Sequence, residues 1–145
     1  MLRNILAVTA GVVAGAALVF AVERAGHAMF PAPAIDFSDA EQARRAIAAL
    51  PLATKASVVA AWFVGAFGGG VVGSLLSKRW APVAWVVAAT IFLLAASSLM
   101  AIPHPWWMSA GAAMAAALGG FLAVRVTRAR YGAPAPPPSD PIAKL

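Results

Sequence analysis

Glu23, His27 and His104 are the residues whose types and positions point most directly to chemistry, and the chain has no histidine besides these two. Spaced four apart, Glu23 and His27 share one face of a helix that continues to about Phe30, ahead of a stop at Pro31-Ala32-Pro33. His104 stands between Pro103 and Pro105, whose restricted backbones stiffen the turn before Trp106 and Trp107. A carboxylate with two imidazoles suits a zinc or other divalent cation site, and equally a proton relay. Met29, Met100 and Met108 map to the same ends and would add the soft donors of a copper(I) site, although methionine also serves as an adaptable apolar filler. A plainer role competes at each position. In that reading Glu23 marks where a helix leaves the hydrocarbon, His27 is an interfacial polar residue, and His104 holds a turn beside an aromatic belt of Trp62, Trp106 and Trp107. Split between distant segments, the three residues lack a specific motif such as H-E-x-x-H. The expectation is therefore a candidate ion or proton cluster at Glu23, His27 and His104, with no catalytic residue, no metal and no cofactor assigned.

The elements that must position this cluster are four apolar blocks, 5–22, 56–76, 82–102 and 106–124, each long enough to cross the ~30 Å hydrocarbon layer as a helix. Of the 145 residues 62% are hydrophobic and only 11% are charged, so a water-soluble form would expose much of its apolar surface. A bilayer accepts that surface and requires each segment to bond its own backbone groups, which helices do. The expected fold is an all-α membrane protein: a four-transmembrane-helix bundle over 1–130, a short extracytoplasmic amphipathic helix at about 39–50, and a disordered Pro-rich cytoplasmic tail over 131–145. With no cysteine the chain has no disulfide framework and no thiolate metal site, which excludes the four-pass enzymes that form disulfides with a quinone.

Charge assigns the sides. Arg3, Lys78, Arg79, Arg125, Arg128, Arg130 and Lys144 fall on one side with Asp140 as the single acid, so the whole net charge of +6 gathers there. On the other side Arg24, Arg44, Arg45 and Lys55 balance Glu23, Asp36, Asp39 and Glu41. The positive-inside tendency then puts both termini in the cytoplasm, where anionic lipid attracts the Arg125, Arg128, Arg130 group by about 1 kcal/mol per charge. Nucleic acid is not an expected partner, because no basic motif with interleaved aromatics is present. A cleaved secretory signal is the rival reading of the first block. Its eighteen apolar or small residues exceed the ~7–15 of a signal core, and retention as a span is expected.

Between the first two spans, Ser38-Asp39-Ala40-Glu41 reads as a capping box that opens a helix closed by Pro51. Ala40, Ala43, Ala46, Ile47 and Leu50 share one face, while Glu41, Arg44 and Arg45 share the other, with Glu41 placed to pair with Arg45. This is the pattern of an interfacial helix across the outer mouth of a bundle. Packing signals are small residues at four-residue spacing: Ala7, Gly11 and Gly15, then Gly65, Gly69 and Gly73 in a glycine-zipper pattern, then Ala112, Ala116 and Gly120. Contact within one subunit is the leading expectation for these stripes and homo-oligomerisation the alternative. Ser97 and Ser98 read as helix-to-helix hydrogen-bonding groups.

With Glu23-Arg24-Ala25-Gly26-His27 closing the first span and Ile102-Pro103-His104-Pro105-Trp106 before the last, the chain resembles a family of small uncharacterised four-pass bacterial inner-membrane proteins over nearly its whole length. The resemblance implies a placement in that membrane, and carries neither an established activity nor an inherited site residue. The small multidrug transporters are similar in size and pass number but use an acid deep in the first span, whereas Glu23 is at an end. The expected function is structural or accessory, without enzymatic activity, in association with the lipid bilayer and with either a second copy or an envelope protein partner. The alternative is a proton- or cation-linked small transporter that uses Glu23, His27 and His104.

Overall fold

The computed structural model describes residues 1–31, 35, 38–102 and 104–132, and among them five helices and no strand. In chain order these are α1 (Leu2–Met29), α2 (Ala40–Ala49), α3 (Leu52–Leu76), α4 (Ala81–Ala101) and α5 (Trp106–Thr127). By length and composition α1, α3, α4 and α5 are each able to cross a membrane, as the four apolar blocks predict. The Pro-rich tail from residue 133 onward, with Asp140 and Lys144, lies outside the described residues. So do Ala32, Pro33, Asp36 and Pro103.

The helices overrun the apolar blocks because hydropathy reports contact with lipid, whereas a helix ends where its backbone bonding ends. At about 1.5 Å per residue, the 28 residues of α1 span about 42 Å, more than the ~30 Å of a hydrocarbon layer. α3 starts directly after Pro51, and α4 carries Pro82 in its first turn, where a missing N–H has no intrahelical partner to lose.

α3 and α4 form the centre of the bundle, with α1 and α5 each packed against both. Glycine makes the α1–α3 contact. A Cβ added to Gly11 would lie 2.8 Å from the Gly69 carbonyl oxygen, and one at Gly15 would lie 2.8 Å from that of Gly65. A Cβ at Gly73 would meet Val83 at 2.9 Å and the Ala7 carbonyl oxygen at 3.3 Å. On the other flank Gly119 approaches Ala66, and Gly120 approaches Ala88 and the Trp85 ring. Small residues thus let backbones approach until main chain meets main chain, the contact that holds helices together where lipid removes the hydrophobic drive. Larger side chains point outward: Ile5, Leu6, Val13, Phe20, Leu93 and Val126 are all exposed.

Three details differ from the sequence reading. Trp62 is buried in a core cluster with Ala95, Met108, Ala112 and Ala115, away from the belt position expected of it, while Trp106 is exposed. Asp39, not Ser38, caps α2: its carboxylate accepts from the N–H groups of Glu41 and Gln42 at 2.9 and 3.2 Å. Ser97 is exposed and its hydroxyl donates to the Leu94 carbonyl of its own helix, so it makes no helix-to-helix bond there.

At the end of the bundle rich in Lys and Arg, α3 and α5 close with the same capping geometry. Arg79 N–H donates to the Ser74 carbonyl and Lys78 N–H to that of Leu75; Ala129 N–H donates to Val124 and Arg128 N–H to Arg125. Both are Schellman arrangements, with Lys78 and Arg128 in the left-handed position that glycine favours. The two caps are joined, since the Arg79 carbonyl accepts from Arg130 N–H at 2.8 Å and the Arg130 carbonyl accepts from Ala81 N–H at 2.9 Å.

Candidate functional site

The opposite end holds the two histidines. α2 lies over it, an amphipathic helix with Ala43 and Ile47 buried and with Glu41, Arg44 and Arg45 exposed. Glu41 pairs with Arg45 at 3.1 Å and with Arg44 at 3.7 Å, as its spacing predicts. Lys55 ties the helix down by donating from Nζ to the Ala48 carbonyl at 3.0 Å, at the end where helix carbonyls lack partners. Beneath α2 is a cavity of about 300 Å³ with His27 and His104 on its wall. Ile47 and Leu50 face it from α2 and the turn that follows, Thr54, Lys55 and Val58 from α3, and Met108 from α5.

Both imidazoles are oriented by their own backbones. His27 Nδ1–H donates to the Glu23 carbonyl at 2.7 Å, and His104 Nδ1–H donates to the Ile102 carbonyl at 2.7 Å. A carbonyl oxygen only accepts, so Nδ1 carries the proton in each ring. In the neutral form Nε2 then keeps its lone pair for another partner. This is the way a histidine is held when Nε2 binds a metal or takes up a proton.

Glu23 belongs to a neighbouring space. Its side chain lines a separate cavity of about 230 Å³, together with Phe20, Trp62, Ile91, Leu94 and Ser98. The structure thus brings His27 and His104 to one cavity and places Glu23 on another, with the link between them made by the Glu23 backbone. Among the described residues no group of three His, Asp or Glu side chains is gathered closely enough to hold a metal ion. Of the three methionines, Met108 is buried and reaches the histidine cavity, while Met29 and Met100 are 71% and 89% exposed.

Met108 joins the two histidines here, as its expected place at the same end suggests, whereas Thr54 and Lys55 are wall residues that the sequence does not single out. Met108 follows His104 by four residues at the start of α5, a spacing that carries the signal. Thr54 and Lys55 interrupt the apolar run of α3 and are visible only as the edge of a span. Chemically, the wall is mainly apolar and carries two imidazoles with Thr54 and Lys55, which suits a small ligand with an apolar body and a polar group. No protein-family model, curated protein or solved structure matches the chain.

Proposed function

We propose that this chain is a multi-pass protein of the bacterial inner membrane with both termini cytoplasmic and α2 on the outer side, and that its role is structural or accessory. The resemblance in the His27 and His104 segments supports the placement, and the gathering of positive charge at the other end supports the orientation. The observation that carries the role is the composition of the interior. Among the described residues the buried polar side chains are Thr54, Ser74, Ser77 and Thr127, all within a turn of a helix end. Between these ends the glycine-backed contacts of α1 with α3, and the alanine-rich contacts of α3 and α4 with α5, bring backbones together, and the polar lining of the cavity beside α1 is limited to Glu23 and Ser98 toward its outer end. A bundle built in this way is a rigid platform for α2 and the basic end.

Reconstitution tests the reading. Liposomes containing the protein, with a proton gradient imposed and a pH-sensitive dye inside, are expected to leak no faster than empty ones. A flux above that background that Glu23→Gln and His27→Ala abolish without loss of insertion would establish the alternative, a proton- or cation-linked small transporter. The observation in favour of that second reading is the pair of oriented imidazoles on one outer cavity.

A further inference from the structure

A second feature that the accessory role does not use is a groove on the outer surface between α4 and α5, which runs from the middle of the two helices toward the basic end. It has a volume of about 250 Å³, with Trp85 and Phe92 as its walls and Ala89, Ala113 and Ala117 among the small residues between them. Ala89, Ala113 and Ala117 are exposed, so the groove opens to whatever surrounds the bundle, which for a spanning protein is acyl chain. At its lower end the Trp85 indole N–H donates to the Tyr131 hydroxyl at 2.9 Å, and Tyr131 follows Arg130 in the chain. The groove therefore leads from the hydrocarbon level to the place where the backbones of Arg79 and Arg130 are bonded together.

The two segments that meet there carry four exposed cations: Lys78 and Arg79 in the α3–α4 turn, Arg128 and Arg130 at the end of α5. Among the described residues both ion pairs involve Glu41 on α2, at the opposite end, and none involves this group. The pairing that joins the two segments uses main-chain atoms, which leaves the guanidinium groups to a ligand. Lys78, Arg79 and Arg128 also hold left-handed φ values of 57°, 63° and 53°, which cost a residue with a Cβ about 1–2 kcal/mol each. Glycine would make these turns at lower cost but would supply no positive charge.

We infer that this end of the protein is a binding site for an anionic glycerophospholipid, with the lipid phosphate held by Lys78, Arg79, Arg128 and Arg130 and one acyl chain laid in the α4–α5 groove beside Trp85. An apolar trough that leads to a patch of cations with no ion pair among the described residues matches the two parts of such a lipid, and a zwitterionic lipid would place its own ammonium against the arginines. The site rests on the membrane placement proposed above and is independent of the accessory role.

The test is binding of dioleoyl phosphatidylglycerol to the full chain in a neutral detergent, followed by native mass spectrometry and by the thermal unfolding midpoint, with dioleoyl phosphatidylcholine and inorganic phosphate as parallel titrations. Phosphatidylglycerol is expected to bind and to raise the midpoint, and the other two to do neither. The double variant Arg79→Gln, Arg130→Gln keeps the main-chain pairing and is expected to unfold at the same midpoint without lipid. Its affinity for phosphatidylglycerol should fall roughly 30-fold, at about fivefold per charge removed. Ala113→Phe with Ala117→Phe fills the groove from exposed positions and should also weaken binding, with the cations intact. Equal binding of the two lipids, a full shift from inorganic phosphate alone, or unchanged affinity in either double variant would each overturn the site.

Discussion

Even the methyl group of an alanine at Gly11, Gly15 or Gly69 would meet a backbone atom at 2.8 Å or less, joined at Gly11 by the Val87 side chain at 2.8 Å. Backbone does not rotate aside as a side chain does, so a larger group must separate α1 from α3. Gly69→Leu is expected to destabilise the protein by about 3 kcal/mol, read from reversible unfolding in mixed detergent. Gly132→Leu, with nothing within 4 Å of its added Cβ, is expected to leave the midpoint unchanged. Equal effects at the two sites would remove glycine contact as the basis of the bundle. The stripe was legible because four-residue spacing alone puts Gly65, Gly69 and Gly73 on one face. The division of the polar cluster was not. Residues four apart on a helix differ by about 40° and about 6 Å along the axis, which suffices for Glu23 and His27 to meet different neighbours. Which neighbours they meet depends on α2 and α4, whose positions no local spacing encodes. Because both imidazole bonds are local, His27→Ala with His104→Ala should preserve helix content by circular dichroism, and a loss of it would show that the histidines hold α2 in place.

At the scale of elements, the four long helices were legible because lipid selects for uninterrupted apolar length, and their ends were less so. The first block ends at Val22 by hydropathy, yet α1 continues through Glu23 and Arg24 to Met29, since a charged side chain does not interrupt the backbone bonding of a helix. For α2, the amphipathic spacing and the Glu41–Arg45 pair were readable, while the choice of Asp39 over Ser38 as cap was settled by one residue of register. Asp39→Ala is expected to cost α2 about 0.5–2 kcal/mol, seen as faster amide exchange across Ala40–Ala49 with the long helices unaffected. Uniform exchange rates would show that Lys55 and the buried face of α2 suffice without the cap. The turns at the basic end were hidden from sequence because the left-handed positions carry Lys78 and Arg128 where glycine would have announced them. Lys78→Gly should therefore stabilise the lipid-free protein in neutral detergent by about 0.5–1 kcal/mol, after the entropy lost in fixing glycine is set against the relief of strain. A lower unfolding midpoint would indicate that the lysine side chain makes a contact that outweighs its backbone cost.

The whole molecule has an apolar exterior carried by four helices, the amphipathic α2 at one end and a cluster of cations at the other. Composition and charge distribution made that polarity legible. The return of the chain that bonds Arg130 to Arg79 could not be read, because it joins segments fifty residues apart through main-chain atoms that every residue shares. The central claim is that α2 and the basic end face opposite sides of a membrane, and the lack of native cysteine allows a direct test. Gln42→Cys on the exposed face of α2 and Gly132→Cys beyond α5 provide one reporter at each end. In bacterial spheroplasts, a membrane-impermeant maleimide is expected to label Gln42→Cys at once and Gly132→Cys only after the membrane is opened. Labelling of both in sealed spheroplasts, or of Gly132→Cys alone, would contradict the account.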